Sequence, residues 1–342
     1  MKRRLVVDLN DRRPLYSIPD WAVDEIRAAV PDDWEVVVLH DLTDSTGDGG
    51  PATPAAMAAI AEAEVYLGYG IPPALFAAAG ERLRWAHSGA AGVGGSLHAA
   101  MLASDVVLTN SAGVHAEPIA DTVLATILYF ARGLDFAVRL QAEHRWDRGP
   151  WESADAPVRE LSQLTLGVHG LGGIGRAIAR RGAALGMRVL ATRRRPGDAP
   201  EGVELLTGGH ALEGLLDASD VLVVTVPRTK ETEGTIGAAE LARLPAGATV
   251  MVISRGGVVD EDALVEALRA GRIRGAALDV FAREPLPAES PLWGLPNALL
   301  TPHISGASHL FWRRQTDLVT ENLRRYLAGD PLLNTVDKHA GY

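Results

Sequence analysis

The stretch LTLGVHGLGGIGRAIARRGAALGMRVLATRRRP, Leu164 to Pro196, decides how the rest of the chain is read. It opens as an apolar run, passes through Gly170-x-Gly172-x-x-Gly175, and continues as an Ala/Arg pattern of helical period. In a chain with 36 glycines that spacing alone is weak. Between a strand and a helix it acquires a physical meaning. Gly170 permits a tight turn, Gly172 lets backbone amides approach a pyrophosphate, and Gly175 lets helix pack closely on strand. The unpaired amides of a helix N-terminus favour an anion, with Gly173 and Ile174 at that end. A turn with no ligand is the plainer alternative, and this context disfavours it.

An acid ordinarily closes the second strand of such a unit, accepting hydrogen bonds from ribose hydroxyls. Here, 18 residues beyond Gly175, stand Arg193, Arg194 and Arg195, and no acid follows until Asp198. A carboxylate would repel a 2′-phosphate, whereas arginine binds one through charge-assisted, often bidentate hydrogen bonds. Charge runs are usually solvated loops, and Arg195 suits that description. Arg193 and Arg194 are the candidates for the phosphate. The pattern points to NADP(H), with NAD(H) as the alternative.

Around this stretch, short β-branched runs alternate with amphipathic segments. RRLVVDL, WEVVVL, EVYLGY, LRWAHS and DVVLTN form one set of strand candidates. TLGVHGL, RVLATR, DVLVVTV, ATVMVIS, GAALDV and ALLTPH form a second set of six. Helix candidates lie between them, and two long ones, Ala116 to Arg132 and Leu310 to Leu327, bracket the second set. The expectation is an α/β protein of two doubly wound parallel-sheet domains. A Rossmann cofactor domain, 110–303, is inserted into a flavodoxin-like substrate domain, 1–109 with 304–342.

The 342 residues suffice for two such cores. A formal net charge of −10 argues against general affinity for nucleic acid or an anionic membrane. No cysteine is present, which removes disulfides, thiolate catalysis and zinc–sulfur sites. The start, MKRRLVVDLN, lacks the apolar run of a signal peptide, and no span of about 20 clean apolar residues exists for a bilayer. A soluble cytoplasmic protein is expected. No His, Asp and Glu cluster shows metal-site spacing, so no metal is expected.

Three further motifs follow in order: VMVISRGGVVDEDALVEAL, GAALDVFAREPLP and LLTPHISGAS. With the glycine turn and the ending ENLRRYLAGDPLLNTVD, the chain resembles the D-isomer-specific 2-hydroxyacid dehydrogenase family. Most of the chain is covered, most strongly Leu164 to Ser308. The resemblance implies that Arg255 binds substrate, that Glu284 is the catalytic acid and that His303 is the proton donor. It also implies a dinucleotide site completed by Val226, Pro227, Ile253, Ser254 and Asp279, with Asp279 on the nicotinamide carboxamide. Ala91 and Gly92 would offer backbone amides to the substrate carboxylate.

The chemistry asks for such groups independently. Reducing a 2-oxoacid needs a cationic fork for the carboxylate, a proton donor for the developing alkoxide and a hydride source. An arginine after a strand is ordinarily a surface residue, and a glutamate before proline ordinarily belongs to a loop. As an ordered set with a strand-ending histidine, the three point to catalysis. His87 and His115 have no assigned chemistry, and His169 reads as a packed histidine. Three places depart from the family pattern: Gly94 and Gly95 stand where a polar pair is common, Arg228 stands where an apolar residue is common, and Asp121 stands where glutamate is common. The first of these suggests a mobile loop or a close backbone approach to ligand.

The expected activity is hydride transfer from NADPH to a small 2-oxoacid of the glyoxylate or hydroxypyruvate class. The alternatives are an NAD-linked D-2-hydroxyacid dehydrogenase, such as one for phosphoglycerate, and a dinucleotide-sensing corepressor-like interaction protein. Glu284 in place of glutamine makes the formate-oxidising branch a poor fit. The resemblance implies a homodimer, and closure of the domains on substrate.

Overall fold

The computed structural model describes residues 2–46, 49–194 and 197–341. They divide into two compact units, Met1–His115 with Ala307–Tyr342, and Ala116–Gly306.

In the first unit, strands β1 (Arg3–Asp8), β2 (Trp34–Val38), β3 (Val65–Gly68), β4 (Trp85–Ser88) and β5 (Val107–Asn110) make a parallel sheet ordered β2-β1-β3-β4-β5. Strands covered on both faces must be apolar at consecutive positions. In β1, Leu5 and Val7 enter a core with the helices Asp20–Ala28 and Phe311–Ala328, while Val6 enters a second core with the helix Pro54–Ile60. Leu67 and Tyr66 divide in the same way, as do Trp85 and Ala86.

His87, 1% exposed, sits in this sheet within a chain of polar side chains. Trp85 Nε1–H can only donate, and it donates to Thr109 Oγ1 at 2.8 Å. Thr109 Oγ1 lies 2.8 Å from His87 Nδ1. Ser111 Oγ lies 3.2 Å from His87 Nε2 and donates to the Ser88 carbonyl at 2.8 Å. Gln315 Nε2 stands 3.1 Å from the same ring nitrogen.

The second unit holds β6 (Thr165–His169), β7 (Arg188–Thr192), β8 (Val203–Leu206), β9 (Val221–Val224), β10 (Thr249–Val252), β11 (Gly275–Leu278) and β12 (Ala298–Leu300). They form a parallel sheet ordered β12-β11-β10-β9-β6-β7-β8. Leu166 and Val168 face the helices Ala116–Ala131 and Gly173–Ala184, whereas Leu222, Val224, Val250 and Val252 face Leu215, Leu216, Leu264 and Leu268. β8 is a seventh strand where six were expected. It is a four-residue edge strand with Glu204 turned to solvent, so it carries little of the apolar signal that marks its neighbours.

The strand order reverses between β6 and β9, the switch point at which doubly wound sheets bind ligands beyond their strand ends. Each candidate in this unit lies within a few residues after a strand. The glycine turn follows β6, Arg193 and Arg194 follow β7, and Val226 and Pro227 follow β9. Ile253, Ser254 and Arg255 follow β10, Asp279 and Glu284 follow β11, and His303 follows β12.

Burial pushes His87 down to about 3 in the folded chain, below the ordinary imidazole value near 6.5. Between those limits the unfolded chain binds the extra proton, so this stabilising contribution is complete above about pH 6.5 and is lost as pH falls. The unfolding free energy of wild type relative to His87→Gln is expected to narrow by about 2 kcal/mol between pH 7.5 and pH 5. Urea unfolding at the two pH values checks it, and a constant difference would contradict it.

Candidate active site

Gly170 has φ +106°, a left-handed backbone in which a side chain would also press on Val226 and Thr225. The Thr225 hydroxyl donates to the Gly170 carbonyl and braces the turn. A Cβ on Gly175 would overlap that same carbonyl. The helix Gly173–Ala184 then begins at Gly172 with no side-chain cap, and Gly172 and Gly173 are exposed. Its first amides are therefore available to an anion. Beyond β10, Ser254 Oγ is buried without a hydrogen-bond partner among the described residues. An uncapped helix end and an orphaned buried hydroxyl, both just beyond strand ends, fit a bound dinucleotide.

After β7, Arg193 and Arg176 converge on one acceptor, the Asp198 carbonyl, at 3.2 and 2.5 Å. Arg194 reaches Glu231 at 3.2 Å, on the turn that follows β9. Arg176 was not singled out in the sequence because it sits in the helical Ala/Arg pattern, where arginine ordinarily faces solvent. Arg195 and Pro196 lie outside the described residues. Arg228 pairs with Glu233 and lies against Gly257 of the turn that carries Arg255. His169 donates to or accepts from Thr192 Oγ1 at 2.9 Å, and burial lowers it to about 4.

Glu284 and His303 are brought together: Nδ1 lies 2.8 Å from Glu284 Oε2. An ionised carboxylate can only accept, so Nδ1 carries a proton and Nε2 is left for chemistry. The Phe281 amide donates to the second oxygen of Glu284 at 3.0 Å. His303 has φ +55°, uncommon for a residue with a side chain, and its neighbours hold it there. Asp279, 2% exposed, accepts from Thr301 Oγ1 at 2.5 Å, from the Ile304 amide at 2.9 Å, and from the amide of Ser305 at 3.0 Å and its hydroxyl. Its carboxylate thus clamps the loop on both sides of His303. That bracing role of Asp279, with Thr301 and Ser305, was not read from the sequence, where the acid and the loop stand more than 20 residues apart. Arg255, half-buried, donates to the Ser254 carbonyl at 2.8 Å.

In the first unit, Asn110 Nδ2 donates to the Ala91 carbonyl at 2.8 Å, and the Ser111 amide donates to the Ala90 carbonyl at 3.2 Å. These bonds hold the backbone leading to Gly92. Gly94–Ser96 form a short 3₁₀ turn ending in buried Ser96, whose hydroxyl accepts from the Ile71 amide at 2.9 Å. The glycine-rich run is thus tied down at its end. His115 stacks on Phe311 with ring centroids 5.2 Å apart.

This fold with this histidine–carboxylate pair is that of an NAD(P)-dependent oxidoreductase. Residues 124–305 match the family model for the D-isomer specific 2-hydroxyacid dehydrogenase NAD binding domain. The glyoxylate reductase of Korarchaeum cryptofilum is 38% identical over 236 residues, covering 68% of this chain and 70% of that one. The glyoxylate/hydroxypyruvate reductase B of Pectobacterium atrosepticum is 39% identical over 237 residues, 68% and 72% of the two chains. A D-isomer specific 2-hydroxyacid dehydrogenase from Xanthobacter autotrophicus Py2, solved with NADPH and MES, superposes with a TM-score of 0.81 at 33% identity over 100% of both chains. An NADPH-dependent glyoxylate/hydroxypyruvate reductase from Sinorhizobium meliloti, solved with NADP and sulfate, gives 0.80 at 30% identity over the same coverage. The chain belongs to the D-isomer-specific 2-hydroxyacid dehydrogenase family.

Asp279→Ala would leave several buried donors without an acceptor, each worth about 1–3 kcal/mol when unsatisfied. Its unfolding free energy is expected to fall by about 3 kcal/mol or more. Denaturant unfolding measures this, and a loss well under 1 kcal/mol would dismiss the clamp.

Proposed function

We propose that the protein reduces a small 2-oxoacid of the glyoxylate or hydroxypyruvate class with NADPH, giving a D-2-hydroxyacid. The observation that carries this reading is the 2.8 Å pairing of His303 with Glu284, which leaves Nε2 free. A nicotinamide dinucleotide, when bound, supplies the hydride. The glycine turn with Gly170, Gly172, Gly173, Ile174 and Gly175 holds its pyrophosphate. Val226, Pro227, Ile253, Ser254 and Asp279 line the remainder of its site.

Arg255 grips the substrate carboxylate with two parallel hydrogen bonds and polarises the adjoining carbonyl. As the carbonyl carbon gains hydride, its oxygen takes the proton from His303 Nε2, and the ring is left neutral with its proton on Nδ1. Glu284 keeps that tautomer. Solvent then restores the Nε2 proton. In the reverse direction the neutral ring begins as the base.

Preference for the phosphorylated dinucleotide rests on Arg193 and Arg194 after β7, where an acid would ordinarily stand, with Glu231 the acceptor that a 2′-phosphate would replace on Arg194. The NADP-bound relatives support it. We further propose a homodimer in the cytoplasm. The helix Leu134–Ala142 exposes Leu134 and Val138, and Trp146 beyond it is 95% exposed, an apolar strip suited to a second copy of the chain.

Initial rates with glyoxylate and hydroxypyruvate, at subsaturating NADPH and NADH, test the reading. Faster turnover with NADPH is expected. Arg193→Asp should raise the KM for NADPH roughly tenfold to a hundredfold, the loss of one charge-assisted hydrogen bond. Preference for NADH in wild type would overturn the cofactor assignment. His303→Ala should lower kcat by about 10²–10⁴ with dinucleotide binding retained, and near-normal turnover would remove it from the mechanism.

A further inference from the structure

The turn that carries Glu284 is fastened at two further points. On one side it meets the Arg255 turn backbone to backbone, because a Cβ on Gly256 would overlap the Phe281 carbonyl and the Ala282 amide. On the other side, the Ala282 amide donates to Glu261 Oε1. Glu261 is the first residue of the helix Glu261–Arg269, whose start is set by Asp260 accepting from the amides of Asp262 and Ala263 at 3.0 and 3.1 Å. Two successive amides of one turn thus feed two different carboxylates: Phe281 donates to Glu284, and Ala282 donates to Glu261.

We propose that Glu261 is a positioning residue for the Glu284–His303 pair: it fixes the Glu284 turn through the Ala282 amide, and its charge adds to that of Glu284 in favouring the protonated imidazole. The first role follows from the bonding. A carboxylate aimed at Nδ1 through a short turn is only as well placed as the turn, and the Ala282 amide joins that turn to a capped helix. The second follows from the surroundings. Burial and the neighbouring charges of Asp262, Glu284 and Asp260 push the Glu261 carboxyl above its usual value, while the Ala282 amide opposes them. That is the signature of an acid partly withdrawn from water and sensing Glu284. A negative charge so placed also acts on the His303 ring whenever that ring carries both protons.

The inference rests on the proposed proton transfer by His303, but it can be read without turnover. Glu261→Gln keeps a carbonyl oxygen for the Ala282 amide and removes the charge, whereas Glu261→Ala removes both. The His303 ring is titrated by NMR in the full chain, with its signal assigned by its absence in His303→Gln. In Glu261→Gln the midpoint is expected to fall by on the order of half a pH unit with kcat near wild type. In Glu261→Ala the same fall should accompany at least a tenfold lower kcat at an unchanged KM for the dinucleotide. A Glu261→Gln midpoint that coincides with wild type overturns the proposal, as does a Glu261→Ala enzyme with wild-type kcat. Should Glu261→Ala fail to fold, the Glu261→Gln titration decides alone. Absence of wild-type turnover with either oxoacid would count against the proposed substrate class and leave the titration to judge Glu261.

Discussion

Asp279 stands just beyond β11 with its carboxylate turned onto the loop after β12, and much of the site's geometry depends on that contact. The loop must present His303 from a left-handed backbone, a conformation that residues with a Cβ adopt at some energetic disadvantage. Acceptance of two backbone amides and two hydroxyls by one buried carboxylate offsets it. Charge-assisted bonds of this kind are stronger than neutral ones, and they are stronger again away from water. The same acid was expected on the nicotinamide carboxamide. With four donors already on it, the carboxylate has its lone-pair sites filled by the loop, so a carboxamide donor would have to displace one of them.

Much of the fold was legible because parallel sheets covered on both faces leave a strong imprint. Runs such as LVVD and VLVV are apolar at successive positions, and each has helical pattern on either side. β8 escaped because an edge strand has one neighbour, and none of its four side chains is fully buried. Glu204 interrupts it for that reason. The site was legible to the extent that chemistry restricts residue type: a glycine where the turn has φ +106°, a histidine beside a glutamate, arginines where an acid is usual. What supports those residues was not. Thr225, Glu261 and Asp279 act through hydrogen bonds to backbone groups distant in sequence. Any threonine or acid could make them, so composition and spacing carry no trace.

The arginines after β7 show a related limit. Sequence gives their sign and their place, and the structure adds company. Arg194 is matched by Glu231, Arg228 by Glu233, while Arg193 and Arg176 share a carbonyl. Exposed pairs of this kind contribute little to stability. Their effect is on the free energy of placing another anion there, since each guanidinium must exchange one acceptor for another. The local field is therefore smaller than a count of arginines implies.

The helix Phe311–Ala328 supplies Phe311, Trp312, Val319 and Leu323 to the core that also holds Leu5 and Trp85, and Gln315 bonds to His87 across 228 positions of sequence. The unit made first is thus completed last. During synthesis the β1–β5 sheet emerges with one of its faces short of a covering helix, and it waits while Ala116–Gly306 is made. That inserted unit is continuous and can close its own cores as soon as it is released. Until the final helix follows, Trp85 and its neighbours are an exposed apolar surface on a nascent chain. This is the interval in which the chain has most need of a chaperone.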